Sequence, residues 1–398
     1  MRRLRGEKLL LLVCAVCCLF GLTGCWDLAE VNQLAIGSLA GGDVDPKTNN
    51  QIVYYHIINP SAIAAQRGTT VKAPVYSYRV EAPTLAQLSK KSSDVIPREL
   101  FPDQFQSYLV SERFARQGLE PFINFIERQY NRRTDLYLLV TDTPMEEMMD
   151  TFTLLEKVPG RYLRSLVEWQ AKSSSTVSLK SRIKDLIENM ESSRLTVLPL
   201  VSLHQPTQAD NTARYEKIDG SKSSIQVNGG AVFNKDTMIG KLDLLDVSVY
   251  HLLKGDTKIF YSNIELPSGP VDLSATKIKS KKRLSLVEGK PVLEVNLRAS
   301  LVILNNEQKV KLTTANVAEI KEAFNDQIKA LGEAFFQHYT EKGWDLFGLE
   351  ESVKNKRGEQ WAQAREDNKL WRKTIIRVQA SSTLRDVGGA IDPYKGAH

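Results

Sequence analysis

The chain has 398 residues, 42% of them hydrophobic, with 53 Lys and Arg against 47 Asp and Glu. That is ordinary globular composition, and the length favours two or three domains with sizeable cores. Half of the net charge of +6 sits in the first eight residues, where Arg2, Arg3, Arg5 and Lys8 face only Glu7, so bulk charge gives no support to nucleic-acid binding.

The first predicted element is a leader: basic MRRLRGEK, apolar LLLLVCAVCCLFGL, then small residues ending in Cys25. The apolar run is shorter than the roughly 20 residues of a spanning helix and reads as a signal-peptide core. Leu22-Thr23-Gly24-Cys25 has lipobox spacing. The expectation is cleavage after Gly24, a diacylglycerol on the Cys25 sulfur and acylation of its new amino terminus, which makes residues 1–24 the signal peptide. Two or more acyl chains make a stable anchor where one binds only marginally. Cys14, Cys17 and Cys18 leave with the leader, so the mature chain keeps no pair for a disulfide and must be held by its cores.

After the anchor, LAIGSLAGGDVD and QIVYYHIINP read as a hairpin around PKTNN, and VYSYRVEA as a third strand by its alternation. PTLAQLSKKSSD, SERFARQG and LEPFINFIERQYN are helical patterns; FQSYLV and DLYLLVTD are short strands. From Met145 the pattern turns helical through RYLRSLVEWQAK and LKSRIKDLIENM. LTVLPLVSLH and SIQVNGGAVFN follow as strands, separated by a polar stretch over 205–223. The helix LDLLDVSVYHLLKG ends on Gly255 as its C-cap.

TKIFYSNIEL, VDLSATKIK and VLEVNLRASLVIL are the next strands. Val317, Ile320, Phe324, Ile328, Leu331, Phe335 and Tyr339 then recur at spacings of three and four, the single apolar stripe of a long helix over 316–342 that packs on the preceding strands. Asn316 with Glu319 has the form of a capping box. A segment holding Trp361 and Trp371 precedes a last strand, KTIIRVQASSTL. The fold class is α+β with largely antiparallel sheets. The boundaries are an N-terminal α/β domain over 26–170, a middle one over 171–255, and a C-terminal one over 256–390 carrying the long helix.

Signs of chemistry are few. The five histidines, His56, His204, His251, His338 and His398, show no metal-ligand spacing, and there is neither a GxSxG elbow nor a phosphate loop. No catalytic, metal or cofactor-binding residue is expected, and the chain reads as a non-enzyme. Asp43, Asp45, Asn49 and Asn50 faintly suggest a calcium loop but lack its central glycine and terminal glutamate; a hairpin turn accounts for them better. Lys277, Lys279, Lys281, Lys282 and Arg283 suit either anionic headgroups or, preferably, a strand edge guarded by lysine. Trp361 and Trp371 fit core anchors better than pocket caps.

Several segments taken together carry a resemblance. Cys25-Trp26-Asp27 with Glu30, a strand ending in Gly41-Gly42-Asp43, and Asn59-Pro60 come first. YLVSERFARQG from Tyr108 to Gly118, FIERQYNRR from Phe125 to Arg133, and Gly229-Gly230-Ala231-Val232-Phe233 follow. Gly240-Lys241-Leu242 stands as a turn after that strand, then Gly343-Trp344-Asp345 and the Trp361 and Trp371 segment. In this order they resemble the Ger(x)C family, the C-subunit lipoproteins of spore nutrient-germinant receptors. Many members carry a histidine just before the YLV strand, where this chain has Gln104. The resemblance implies three mixed α/β domains, no catalytic residues, and assembly with integral membrane A-type and B-type subunits on the outer surface of the spore inner membrane. A lipid-anchored solute-binding protein of an importer is the alternative; a hydrolase would need a carboxylate pair that no segment singles out.

Overall fold

The computed structural model describes residues 30–386, apart from 65–71, 129–132, 193, 206–214, 216–219, 223, 309 and 368. The leader, Cys25, Trp26 and Asp27 lie outside the described residues, as do most of 205–223, part of Phe125 to Arg133, and the tail after Gly388.

β1 (Leu34–Val44) and β2 (Gln51–Ile58) form the expected hairpin, antiparallel with Val44 opposite Gln51. Asp45 builds its turn. Its Oδ1 accepts from the N–H groups of Lys47 at 2.7 Å and Thr48 at 2.9 Å, and Asn49 takes a φ of 59°, which asparagine tolerates. β3 (Val75–Ala82) pairs with β2, and the buried Asn59, next to the short helix α1 (Pro60–Ala64), donates from Nδ2 to Ala73 O and Tyr76 Oη.

The centre of this sheet is parallel. β4 (Glu99–Phe101) and β5 (Ser107–Ser111) both run alongside β1; β6 (Tyr137–Thr141) follows β5 and β7 (Thr196–His204) follows β6. Every residue of β5 and β6 is buried, because helices cover both faces and the strands need no alternation. Buried side chains of α2 (Leu85–Val95), α3 (Glu112–Gln117), α4 (Glu120–Arg128) and α7 (Ile183–Met190) join one core, while those of α5 (Met145–Met149) and α6 (Pro159–Ser173) join the other.

β8 (Ser224–Asn234) and β9 (Thr237–Leu242) complete the sheet in antiparallel fashion, giving the order β3-β2-β1-β5-β6-β7-β8-β9 with β4 beside β1. Gly240, Lys241 and Leu242 lie within β9 and not in a turn. The turn is Lys235-Asp236, with Lys235 at a φ of 55°. A glycine and a lysine inside so short a strand hide its alternation.

α8 (Leu244–Lys254) leads out of the first sheet, capped at its start by the Asp243 side chain and, as expected, at its end by left-handed Gly255. The second sheet has the order β10-β11-β12-β13: β10 (Ile259–Leu266), β11 (Gly269–Val287) and β12 (Lys290–Asn306) are antiparallel, and β13 (Ile375–Asp386) is parallel to β12. Largely antiparallel describes this sheet and both flanks of the first.

α9 (Thr314–Glu341) lays the predicted stripe on the second sheet, with Ile320, Phe324, Ile328 and Phe335 in one cluster with Val271, Leu273, Val295 and Leu297. Its cap is Thr313, not Asn316: the Thr313 hydroxyl accepts from Asn316 N–H, and Asn316 sits inside the first turn with its side chain buried. α10 (Leu349–Lys354) and α11 (Ala362–Glu366) follow. Trp371 belongs to the main core, and Trp361 to a small one with Val353, Ala364 and Leu370; both are core anchors.

Candidate functional site

The parallel strands β5 and β6 end in Ser111-Glu112-Arg113 and Thr141-Asp142, polar residues directly after buried apolar runs. Open α/β sheets offer their clefts at such carboxyl ends. Here the cleft encloses about 740 Å³, with Asp43, Tyr54, Arg79, Glu112, Arg116 and Glu146 among its lining.

At its floor Asp43 is only 6% exposed. Its carboxylate accepts from Val44 N–H at 2.8 Å, from the Ser111 hydroxyl, and from Arg113 through Nη2 at 2.7 Å and Nε at 3.3 Å. Ser111 also accepts Phe114 N–H at 3.1 Å and so caps α3. The hydroxyl proton is thus held by Asp43 and the oxygen by the helix start. One side chain ties the end of β1 to the start of α3.

Along the rim, Lys241 from β9 reaches Glu112 Oε2 at 2.6 Å and Asp142 Oδ2 at 3.1 Å, and Arg116 reaches Glu112 Oε1 at 2.8 Å. Burial pushes the Glu112 carboxyl up, but the hydrogen bonds from Lys241 and Arg116 outweigh it and hold its pKa below the usual range. Burial pulls the Lys241 ammonium down, and its two carboxylate partners more than compensate. Burial raises the Tyr54 phenol. The arrangement presents a polar concave surface whose paired charges tie β1, α3, β9 and the end of β6 together.

The structure joins segments that are far apart in sequence. Asp43 of the GGD strand, Ser111, Glu112 and Arg113 of YLVSERFARQG, and Lys241 after the GG-A-V-F strand all converge here. Asp142 was not singled out from sequence; its signal was a polar residue ending a buried strand. Asp45 stays in its turn, where the backbone N–H groups of Thr48 and Lys47 hold its carboxyl below the usual range. Gln104 is exposed at the end of the short helical turn Pro102–Gln104.

Elsewhere, the basic cluster splits. β10 pairs with β11 only as far as Thr276; among the described residues no strand pairs with β11 beyond that point on that side, and the end of α8 lies against Ser280 and Lys282 there. Lys282 donates to Leu253 O at 3.2 Å and Lys254 O at 2.6 Å, although, like Lys277, Lys279, Lys281 and Arg283, it is an exposed residue. His56 and His251 are buried, and burial lowers both pKa values to about 4. Among the described residues no three His, Cys, Asp or Glu side chains are grouped as metal ligands, and no helix is long and apolar enough to cross a membrane.

Two sheets, a charge-paired cleft and a helix-covered C-terminal sheet define an α+β protein, and two consecutive family models cover most of it. Residues 27–203 match the spore germination protein N-terminal domain, and residues 228–388 the spore germination B3/GerAC-like C-terminal domain. The chain belongs to the Ger(x)C family of spore germination proteins. It is 22% identical to spore germination protein KC of Bacillus subtilis (strain 168) over 98% of both chains. It is 21% identical to spore germination protein GerQC of Bacillus cereus over 67% of this chain and 69% of that one. The crystal structure of the GerBC protein shares the fold, with a TM-score of 0.55 over 90% of this chain and 99% of that one at 12% identity.

Proposed function

We propose that this chain is the lipid-anchored, non-catalytic subunit of a membrane receptor complex that triggers spore germination in response to nutrients. The observation that carries the reading is positional: the lipobox cysteine, Cys25, stands two residues before residue 27, where the first of two consecutive germination-family matches begins. Cleavage after Gly24 and acylation of Cys25 would tether the folded part to the outer surface of the spore inner membrane. Tethering confines the chain to the plane of its partners, the A-type and B-type integral subunits, and raises their effective concentration without any added contact. The cleft fits this role, since its charges are engaged with one another.

The test is Cys25→Ala in the native host. The expected outcome is loss of the chain from the spore membrane fraction and loss of the nutrient response, with the response to non-nutrient triggers intact. Full membrane retention with normal germination would overturn the tether.

A further inference from the structure

A second enclosed space, of about 360 Å³, lies where the first sheet's layer meets the second's. Lys180, before α7, and Thr196, on β7, line it from one side. His251 and Lys254 of α8, Asp256, and Lys282 of β11 line it from the other. Three ammonium groups gather about Asp256; of the other carboxylates lining the space, Asp185 accepts from Arg182 N–H at 2.9 Å, and Glu188 lies on the same helix, α7. Lys180 Nζ is 3.6 Å and Lys254 Nζ 4.0 Å from Asp256, and Lys282 is close enough to be affected by Asp256, Lys254 and Lys180.

The separations to Asp256 exceed those of tight ion pairs, roughly 2.7 to 2.9 Å, so the carboxylate does not consume the donors around it. Lys282 is anchored by the carbonyls ending α8, and Lys254 donates to Tyr250 Oη at 2.8 Å. Arg194 on the rim is taken by Glu351 at 2.9 Å. His251 adds an independent sign. It is 4% exposed, lines the space, and its buried Nδ1 has no hydrogen-bond partner among the described residues. An unpaired buried polar atom is costly, and a guest can relieve that cost.

We propose that this space binds a compact oxyanion, a carboxylate or phosphate group, held by Lys180 and Lys254 next to His251. Such a guest would bridge the loop before α7, which packs on the first sheet, and the end of α8, which Lys282 of β11 ties to the second. The site is separate from the Asp43 cleft and does not depend on the receptor reading.

The experiment uses the full chain in detergent, titrated calorimetrically with inorganic phosphate and, separately, malonate at constant ionic strength. Saturable binding of at least one is expected, with the stronger identifying the oxyanion class. Lys180→Ala, on an exposed loop, and Lys254→Ala should each weaken it about tenfold, the loss of one charge-assisted hydrogen bond. Lys281→Ala, which removes an exposed charge from β11, should leave it unchanged; thermal melts of Lys180→Ala check its fold. No saturable binding of either anion, or an equal loss in Lys281→Ala, overturns the proposal.

Discussion

His56 shows how much one buried side chain decides. Its Nε2 lies 2.7 Å from Met149 O, a carbonyl that can only accept, so Nε2 carries a proton. Burial lowers its pKa from 6.5 to about 4, and the Met149 bond offsets this only in part. Below pH 6.5 the unfolded chain therefore takes up a proton that the folded chain refuses. Stability contributed by this group is complete above pH 6.5 and is lost as pH falls towards 4, by about 3 kcal/mol in all. His56→Gln, followed by urea unfolding at pH 7 and pH 4.5, should show a flatter dependence over that window than the unsubstituted chain. An identical slope would show that His56 does not titrate there.

Elements are joined here by single polar residues at their ends. Asp43 closes β1 onto Arg113 and Ser111, and through Ser111 onto the first turn of α3. Asp43→Ala strands Val44 N–H and the capping hydroxyl, while Arg113, half exposed, recovers water. A loss of about 2 kcal/mol in chemical unfolding is expected, with protease nicking enhanced near α3. The sequence displayed Asp43 clearly, but as one of four oxygen-bearing residues near a turn; only β5, which approaches from residue 107, shows that Asp43 leaves that group and Asp45 keeps the turn. α9 teaches the complementary point. Its stripe from Val317 to Tyr339 was fully legible, because a period of 3.6 is a local property. Its cap was misplaced by three residues, because Thr313 and Asn316 are both good caps and only the path of the chain chooses between them.

At the scale of the whole molecule, α8 and the loop after α9 hold the sheets together. Trp344 of Gly343-Trp344-Asp345 lies flat against Tyr339 at 5.3 Å and closes on Gly240 of β9, where an added Cβ would stand 2.3 Å from the indole ring. Tyr339 donates to Asp246 of α8 at 2.5 Å, and Arg194 meets Glu351 across the same junction. Gly240→Ala must therefore displace a large ring at a packed junction, at a cost of about 1 to 3 kcal/mol. The expected result is a lower melting temperature with broadening, as the two sheets begin to unfold separately; an unchanged melt would mean that Trp344 moves aside freely.

The sequence by itself determined what rests on local pattern: the β1–β2 hairpin, the apolar face of α9, and the order of segments that marks the family. Each depends on spacing along one stretch of chain. The tertiary structure alone decided what depends on neighbours distant in sequence. These are the parallel centre of the first sheet, β9 in place of a turn, the meeting of Asp43 with Arg113 and of Lys241 with Glu112 and Asp142, and the lysine-lined space beside His251. Strand direction and ion pairing follow from which elements are brought together during burial, and no period within a single segment records that.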